Sequence, residues 1–276
     1  MNKTKLRLSL LLLLGSLTLG SCSKSGGNEF TAEGTITDAA GKTLYLETTD
    51  TDEPQLIDSV TLDEKGRFRF RREAHSYPAF YRLRLGESFI PFAADSVTHL
   101  TLSASGKDLF STYTIESGDE ANKQIREIGQ LRTATDKAIE AVLTQLNNGT
   151  LDRGIALARI DSLSTQLKNT LTSKYIFSDP KGAAAYYALF QSYLGGTYFS
   201  IDHPGDDRAF SAVATAYDAF HPNAPYTPLL KQAALRSIAM ARARQREAHP
   251  DTTMTAAPVE VVAFPEIHLR DQKGQM

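Results

Sequence analysis

The hydrophobic pattern changes its period inside the stretch TIESGDEANKQIREIGQL, residues 114–131. Before Ser117, apolar and polar residues alternate, which is typical of a strand with one buried face. After Ser117, apolar residues recur at the three- and four-residue spacing of an amphipathic helix, first at Ile125, Ile128 and Leu131. Ser117-Gly118-Asp119-Glu120 also has the form of a capping box, in which serine and glutamate satisfy free backbone amides at a helix start. The stretch therefore predicts a β-rich segment followed by a helical one.

The two flanking segments extend this pattern. Residues 29–116 contain about eight short alternating runs separated by glycine-containing turns, and Arg67-Phe68-Arg69-Phe70-Arg71 is the clearest of them. Runs of this length and spacing predict an antiparallel β-sandwich or barrel. Residues 117–248 contain about five helical patterns, two of which open with a proline (Pro180 and Pro228) that suits the first helical turn. We therefore predict an α+β fold with the strands first and the helices second.

The N-terminus has the layout of a secretory signal. Residues 2–7 carry three positive charges and precede an apolar run over residues 8–19, which is too short for a membrane span of ~20 residues. The run ends in Leu19-Gly20-Ser21-Cys22, which resembles the bacterial lipobox, where cleavage just before the cysteine leaves its thiol to carry a lipid. We therefore expect a lipoprotein signal peptide of residues 1–21.

Lipidation of Cys22 would make the membrane the first expected partner, because acyl chains contribute ~0.8 kcal/mol per buried methylene. Residues 22–28 are small and polar and predict a flexible tether behind that anchor. Ser23 is not the aspartate that often marks retention in the inner membrane, so the outer membrane is favoured over the inner one. The expected location is the cell envelope, facing the periplasm or the cell surface.

Composition excludes several classes of protein. Cys22 is the only cysteine among 276 residues, so the chain has no intrachain disulfide, no CxxC redox pair and no cysteine-rich zinc site. The formal net charge is −2, and removal of the three positive residues of the signal peptide leaves −5. An acidic chain of this size is poorly suited to nucleic acid, so we expect no nucleic-acid partner. We expect no cofactor and no metal.

Two short loops imitate ligand-binding motifs. Ala39-Ala40-Gly41-Lys42-Thr43 is similar to the end of a phosphate-binding loop, but Ile36 stands where the first glycine is required and the residues that follow alternate like a strand. This predicts a hairpin turn. The loop of residues 202–207 (DHPGDD) groups carboxylates with an imidazole. It predicts either a divalent-ion site or an acidic cap on the helix that follows.

Arginines and aromatic residues form two further candidate sites. Five arginines occupy alternating positions on two predicted strands, and they would form an anion-binding patch if the strands pair: Arg67, Arg69, Arg71, Arg82 and Arg84. The alternative is a solvated face in which acidic residues lie between the arginines.

The aromatic run between Tyr186 and Phe199 predicts helix core packing or, alternatively, a ligand groove.

The order of features resembles a known family. Gly41-Lys42-x-Leu44-Tyr45-Leu46, Gly66-x-Phe68-x-Phe70 and Glu116-Ser117-Gly118 are similar to an uncharacterised β-rich domain of Bacteroidota envelope lipoproteins. In that family a helical segment follows, and then a thioredoxin-like thiol–disulfide interchange domain of the TlpA/AhpC-TSA type. Residues 249–276 form a loop and a strand-like tail, and Phe264 to Gly274 resembles the opening strand and turn of that domain.

The chain departs from the family in its chemistry. The family's W-C-x-x-C motif has no counterpart here, because the sequence holds no tryptophan and no second cysteine. We therefore expect no enzyme activity and a non-catalytic binding or spacer module associated with thioredoxin-like thiol–disulfide chemistry. Its partner would be a thioredoxin-like domain or another envelope protein. The alternatives are the N-terminal portion of a longer oxidoreductase and an independent envelope lipoprotein that binds a carbohydrate or an anion.

Three serines lie in short Asp-Ser-apolar triplets that resemble the O-glycosylation site of such envelopes. They are Ser59, Ser96 and Ser162. The triplet is short enough to occur by chance, so the alternatives for each serine are a modification site and a chance match, whose hydroxyl could be buried.

Overall fold

The computed structural model describes residues 29–49, 53–95, 98–116, 120–193 and 196–248. The expected signal peptide, Cys22, the tether, the capping residues 117–119, Ser96 and the tail of residues 249–276 lie outside the described residues. The chain divides into two compact units, with the division between Lys123 and Gln124. No helix among the described residues is long and apolar enough to cross a membrane.

The described residues of the first unit form eight strands. These are β1 (Glu29–Thr37), β2 (Thr43–Thr48), β3 (Gln55–Thr61), β4 (Arg67–Glu73), β5 (Ala79–Leu85), β6 (Ser88–Ala94), β7 (His99–Ser105) and β8 (Thr114–Ile115). A short helix, α1 (Leu109–Thr112), lies between β7 and β8, and the Asp108 side chain caps it by accepting a hydrogen bond from the Ser111 amide. The predicted number of strands is therefore confirmed.

The strands form two four-stranded sheets, ordered β4-β1-β7-β8 and β3-β2-β5-β6. Their apolar faces share one core, in which the Phe30 ring of β1 lies 4.8 Å from the Tyr81 ring of β5 and 6.2 Å from the Phe92 ring of β6. The described residues form a sandwich and close no barrel. The sheets are not wholly antiparallel, because β1 pairs with β7 in parallel.

Alternation places the side chains as their polarity requires. On β4, Phe68 and Phe70 are buried while Arg67, Arg69 and Arg71 are exposed. Burying a phenylalanine side chain contributes about 1.5–3 kcal/mol, so each such run is held with its apolar face inward. This local periodicity is the reason that the β-rich segment is recognisable in the sequence.

The turn at Gly41 is not a hairpin turn, contrary to the prediction. β1 and β2 lie in different sheets, so the turn carries the chain from one sheet to the other. The turn at Gly66 does the same between β3 and β4, whereas Gly86 closes a true hairpin between β5 and β6. A glycine turn indicates where the chain reverses, but the pairing of its flanking strands depends on contacts made elsewhere.

A side chain, not a strand, covers the free edge of β6. The Asn122 amide donates to the carbonyl of Ala93 and accepts from the Ala93 amide, both at 2.8 Å, and Asn122 is buried. An exposed edge presents unpaired backbone groups that template aggregation. Asn122 satisfies one residue's pair of such groups at the β6 edge.

The helical segment consists of α2 (Glu120–Asn147), α3 (Arg153–Leu171), α4 (Ala183–Leu189), α5 (Asp207–Phe220) and α6 (Thr227–Ala248). A π-helical turn, Thr172–Ile176, extends α3, and two short strands, β9 (Ser192–Tyr193) and β10 (Gly196–Thr197), follow α4. The five helices are as predicted. The prediction that Pro180 opens a helix is wrong: α4 begins at Ala183, and Pro180 lies in a turn closed by the hydrogen bond from the Gly182 amide to the Asp179 carbonyl, 2.9 Å.

Candidate functional site

A cavity of about 680 Å³ opens within the helical unit. Its walls come from α2, from one side of α3, from β9 and β10, and from the loop that leads into α5. The residues that line it are Ile139, Leu143, Ile160, Asp161, Ser164, Thr165, Lys168, Asn169, Thr172, Phe177, Tyr193, Gly196, Thr197, Tyr198, Phe199, His203, Pro204, Gly205, Asp206, Arg208 and Ala209. This volume lies within the ~300–1,000 Å³ typical of small-molecule sites.

A buried ion pair forms one wall of this cavity. The Lys168 ammonium on α3 lies 2.7 Å and 2.9 Å from the two carboxylate oxygens of Asp206, and these side chains are 16% and 6% exposed. The Asp206 carboxylate also accepts the Ser200 amide at 2.9 Å. Two charged groups with so little solvent exposure are stable only when they are paired and hydrogen-bonded, as they are here.

The loop of residues 202–207 owes its shape to this pair. Asp206 stands at the capping position of α5 but makes no side-chain cap, because Lys168 and Ser200 engage its carboxylate. Asp207 places the acidic charge in the first turn of α5 instead. His203 Nδ1 lies 3.3 Å from the Lys168 ammonium. The described residues contain no group of three His, Cys, Asp or Glu side chains that suits a metal ion.

Several polar side chains of the cavity are free to meet a ligand. Among the residues that the structure describes, Asp161, Asn169 and Arg208 form no side-chain hydrogen bond or ion pair. The buried hydroxyl of Tyr193 likewise has no hydrogen-bond partner in this part of the chain. The cavity therefore offers both donors and acceptors that the fold itself leaves unused.

The structure divides the aromatic run between two roles. Tyr186 packs in the helical core against Tyr226 and Tyr217, at ring distances of 4.5 Å and 5.7 Å. Tyr193, Tyr198 and Phe199 line the cavity. Core packing is therefore confirmed for Tyr186, while a ligand groove stays a prediction for the residues that line the cavity.

Tyr198 is held rigidly at the cavity wall. Its hydroxyl donates to the Asp136 carboxylate at 2.6 Å, and Arg132 pairs with that same carboxylate. Burial and the neighbouring Asp136 raise the pKa of Tyr198 well above its ordinary value. Tyr198 therefore stays a neutral donor at every physiological pH, and its ring is a fixed apolar surface.

The five arginines do not converge into one patch. Arg67, Arg69 and Arg71 lie on β4 and Arg82 and Arg84 on β5, and these strands belong to different sheets. The pairing on which a shared patch depended is therefore absent. Each guanidinium also faces a carboxylate, respectively Asp63, Glu33, Glu29 and, for both arginines of β5, Glu47. Each arginine of β4 has a carboxylate of its own and the two arginines of β5 share Glu47, so acidic residues lie between the arginines, which was the alternative.

Glu47 is the most buried of these carboxylates. Arg84 Nε donates to one of its oxygens at 2.7 Å and Arg82 Nε to the other at 2.5 Å, while the Arg84 guanidinium stacks 4.4 Å over the Tyr45 ring. Burial favours the neutral carboxyl, but the hydrogen bonds from Arg84 and Arg82 outweigh it and hold the pKa of Glu47 below its ordinary 4.5. The cluster is structural.

We predict that Glu47→Gln lowers the unfolding free energy of the first unit by about 2–3 kcal/mol, because it leaves two half-buried guanidiniums without a counter-charge. The pKa of Glu47 is depressed on folding, so its contribution is present above about pH 4.5 and is lost as the pH falls through the folded-state pKa. Urea unfolding between pH 3 and 7 measures both effects.

Glu33→Gln is the matched control for this prediction. Its partner Arg69 is 67% exposed and Glu33 is 42% exposed, so the change is expected to cost less than about 0.5 kcal/mol. Equal losses in the two variants, or a Glu47→Gln difference from wild type that persists unchanged at pH 3, contradict the assignment.

The candidate glycosylation serines lie on exposed surface where the structure describes them. Ser59 is on β3, at the edge of its sheet, and its amide donates to Asp58 Oδ1 at 2.8 Å. Ser162 is exposed on α3 and does not line the cavity. Both hydroxyls are therefore accessible to a modifying enzyme.

Comparison with known proteins identifies no relative. No protein-family model, no curated protein and no solved structure matches this chain.

Sequence analysis singled out the loop of residues 202–207 but missed its partner. Lys168 sits in α3 in a pattern that is ordinary for a helix surface, and it is 38 residues away from Asp206 along the chain. Arg208 and Asp161 were equally unremarkable. Only the packing of α3 against the loop before α5 brings these side chains to one cavity.

Proposed function

We propose that this chain is a lipid-anchored, non-catalytic binding module of the cell envelope. The observation that carries the proposal is the cavity of the helical unit, which combines aromatic walls with polar groups that have no partner among the described residues. A concave site of this size with a few unsatisfied polar groups is the usual form of a small-molecule site. Two of the charged residues of its wall, Lys168 and Asp206, pair with each other, which supports binding over catalysis.

The resemblance to envelope lipoproteins supports the rest of the proposal. Cys22 would anchor the module to the membrane, with the outer membrane favoured, and a thioredoxin-like domain or another envelope protein would be its protein partner. The same resemblance supports the second candidate, the N-terminal portion of a longer thiol–disulfide oxidoreductase, through the tail of residues 264–274. In either case the lone Cys22 supplies no resolving thiol for disulfide exchange.

Cys22→Ser is expected to move the protein from the membrane pellet to the soluble fraction or to leave it as uncleaved precursor, because serine has no thiol to lipidate. Fractionation of expressing bacteria with an immunoblot measures this. Ser25→Ala, in the same tether, is the control and should remain in the pellet. A Cys22→Ser protein that is processed and still pelleted with the membranes would contradict the anchor.

The binding role is tested by equilibrium dialysis of the full-length protein against small molecules extracted from bacterial envelopes. Thr165 is exposed at the cavity, so Thr165→Trp should block it, whereas Ser162→Trp places the same ring on α3 outside it. We expect at least one component to be enriched with wild type and Ser162→Trp but not with Thr165→Trp. Enrichment by all three proteins or by none overturns the binding role.

A further inference from the structure

The formal charges around the cavity cancel. Lys168 and Arg208 carry two positive charges and Asp161 and Asp206 two negative ones, with His203 counted as neutral. Lys168 and Asp206 are also paired with each other, which leaves Arg208 and Asp161 as one charge of each sign without an ion-pair partner among the residues that the structure describes. A ligand with net charge would gain attraction from one free group and repulsion from the other, so the cavity favours a neutral ligand.

The walls offer flat apolar surface beside these charges. Phe177 is about half exposed, and Tyr193 and Tyr198 add aromatic surface to the same cavity. An aromatic ring provides a large, rigid contact face at little cost in conformational entropy. The ligand therefore needs an apolar face that can lie on a ring.

The free polar groups require both donors and acceptors in the ligand. The Asp161 carboxylate only accepts hydrogen bonds, the Arg208 guanidinium only donates, and the Asn169 amide does both. These three side chains have no partner among the described residues. A hydroxyl group serves all of them, because it donates and accepts.

From these observations, and resting on the proposed binding function, we propose that the cavity binds a neutral carbohydrate. A pyranose ring has an apolar face of C–H groups to lie on Phe177 or Tyr193 and a rim of hydroxyls to meet Asp161, Asn169 and Arg208. It carries no net charge, as the balanced walls require. The volume of about 680 Å³ accommodates a mono- or disaccharide.

The test is titration of the full-length protein with sugars, followed by calorimetry and saturation-transfer NMR. The probes are the methyl glycosides of glucose, galactose, mannose and N-acetylglucosamine, and the disaccharides maltose, cellobiose and lactose, at millimolar concentrations. The protein is kept in a zwitterionic detergent without a sugar headgroup. Glucuronate and glucosamine are included because they add one negative or one positive charge to the same ring.

We expect at least one neutral sugar to bind wild type and Ser162→Trp, and Thr165→Trp to lose that binding. Asp161→Ala and Arg208→Ala should each weaken it about tenfold through the loss of a hydrogen bond to a charged group. Arg159→Ala, an exposed arginine on α3 that does not line the cavity, should leave it unchanged. Circular dichroism spectra that match wild type show that each variant is folded.

The proposal is overturned if no neutral sugar binds, if a charged analogue binds more than tenfold more tightly than every neutral one, or if Thr165→Trp binds as wild type does. These outcomes are separable from failure of the binding function. If extract dialysis enriches a component in a Thr165-dependent way and no sugar binds, the binding module stands and its ligand is not a carbohydrate.

Discussion

Gly66→Ala is expected to lower the unfolding free energy of the first unit by about 4 kcal/mol or more. Gly66 has a φ of +74°, a conformation that costs an L-residue about 1–2 kcal/mol. A Cβ atom at this position would also lie 2.0 Å from the Ile36 carbonyl oxygen, which is backbone and has no rotamer to change. The turn of residues 63–66 and β1 would have to move apart, and the hydrogen bond from the Ile36 amide to the Gly66 carbonyl, 2.8 Å, would be strained with them. Losses of this size are rare for single substitutions, and overlap with a backbone atom is among the few causes that produce them.

Gly41→Ala separates the two causes. Gly41 has the same φ of +74°, but a Cβ atom there meets nothing within 4 Å. Gly41→Ala should therefore lower the unfolding free energy only by the conformational cost of about 1–2 kcal/mol. Hydrogen exchange of peptides from residues 29–116, followed by mass spectrometry, reports on this unit alone. Similar losses for the two alanines would show that close approach of β1 is not what requires glycine at residue 66.

Asp206→Ala is expected to destabilise the helical unit by about 2–4 kcal/mol, because it leaves the largely buried Lys168 ammonium without its counter-charge and the Ser200 amide without its acceptor. Asp206→Asn keeps an oxygen that can accept from the Ser200 amide and removes only the charge. Its unfolding free energy should therefore fall by less than that of Asp206→Ala. The measurement is hydrogen exchange in peptides from α3 and α5.

A double-mutant cycle isolates the pair itself. Lys168→Met with Asp206→Ala removes both charges, and the double variant should be less destabilised than the sum of the two single ones by 1 kcal/mol or more. Asp218→Ala is the control, since its partner Lys231 is half exposed and the pair should contribute less than about 1 kcal/mol. Additive losses at residues 168 and 206 would show that the two side chains do not depend on each other.

The order of strands and helices could be predicted because the hydrophobic period of each segment indicates whether it forms a strand or a helix. Phe68 and Phe70 are buried for the same reason that they alternate with arginines: one face of a strand meets the core and the other meets water. Ile125 and Ile128 are buried at helical spacing for the equivalent reason in α2. Each of these patterns concerns neighbours within one element.

Pairing between elements could not be predicted in the same way. The alternation of β4 and β5 is equally regular, yet Arg69 and Arg84 end on different sheets with Glu33 and Glu47 as separate partners. The parallel pairing of β1 with β7 joins residues about 68 positions apart. The order of the strands in a sheet depends on the burial and hydrogen bonding of the whole unit. A single alternating run does not determine that order.

The amino-acid sequence by itself determined the α+β class, the eight strands and five helices and the approximate residue at which one pattern gives way to the other. Only the tertiary structure decided which residues share a site. The sequence marks Asp206 as one acid in an acidic loop and Lys168 as one cation on a helix, and neither is special alone. Folding places them 2.7 Å apart at the wall of a cavity that Asp161 and Arg208 also line, and these last two have no side-chain partner in the described part of the chain. The side chains that line one cavity come from distant positions of the chain. Periodicity concerns neighbours along the chain, so it does not show which distant side chains lie close together in space.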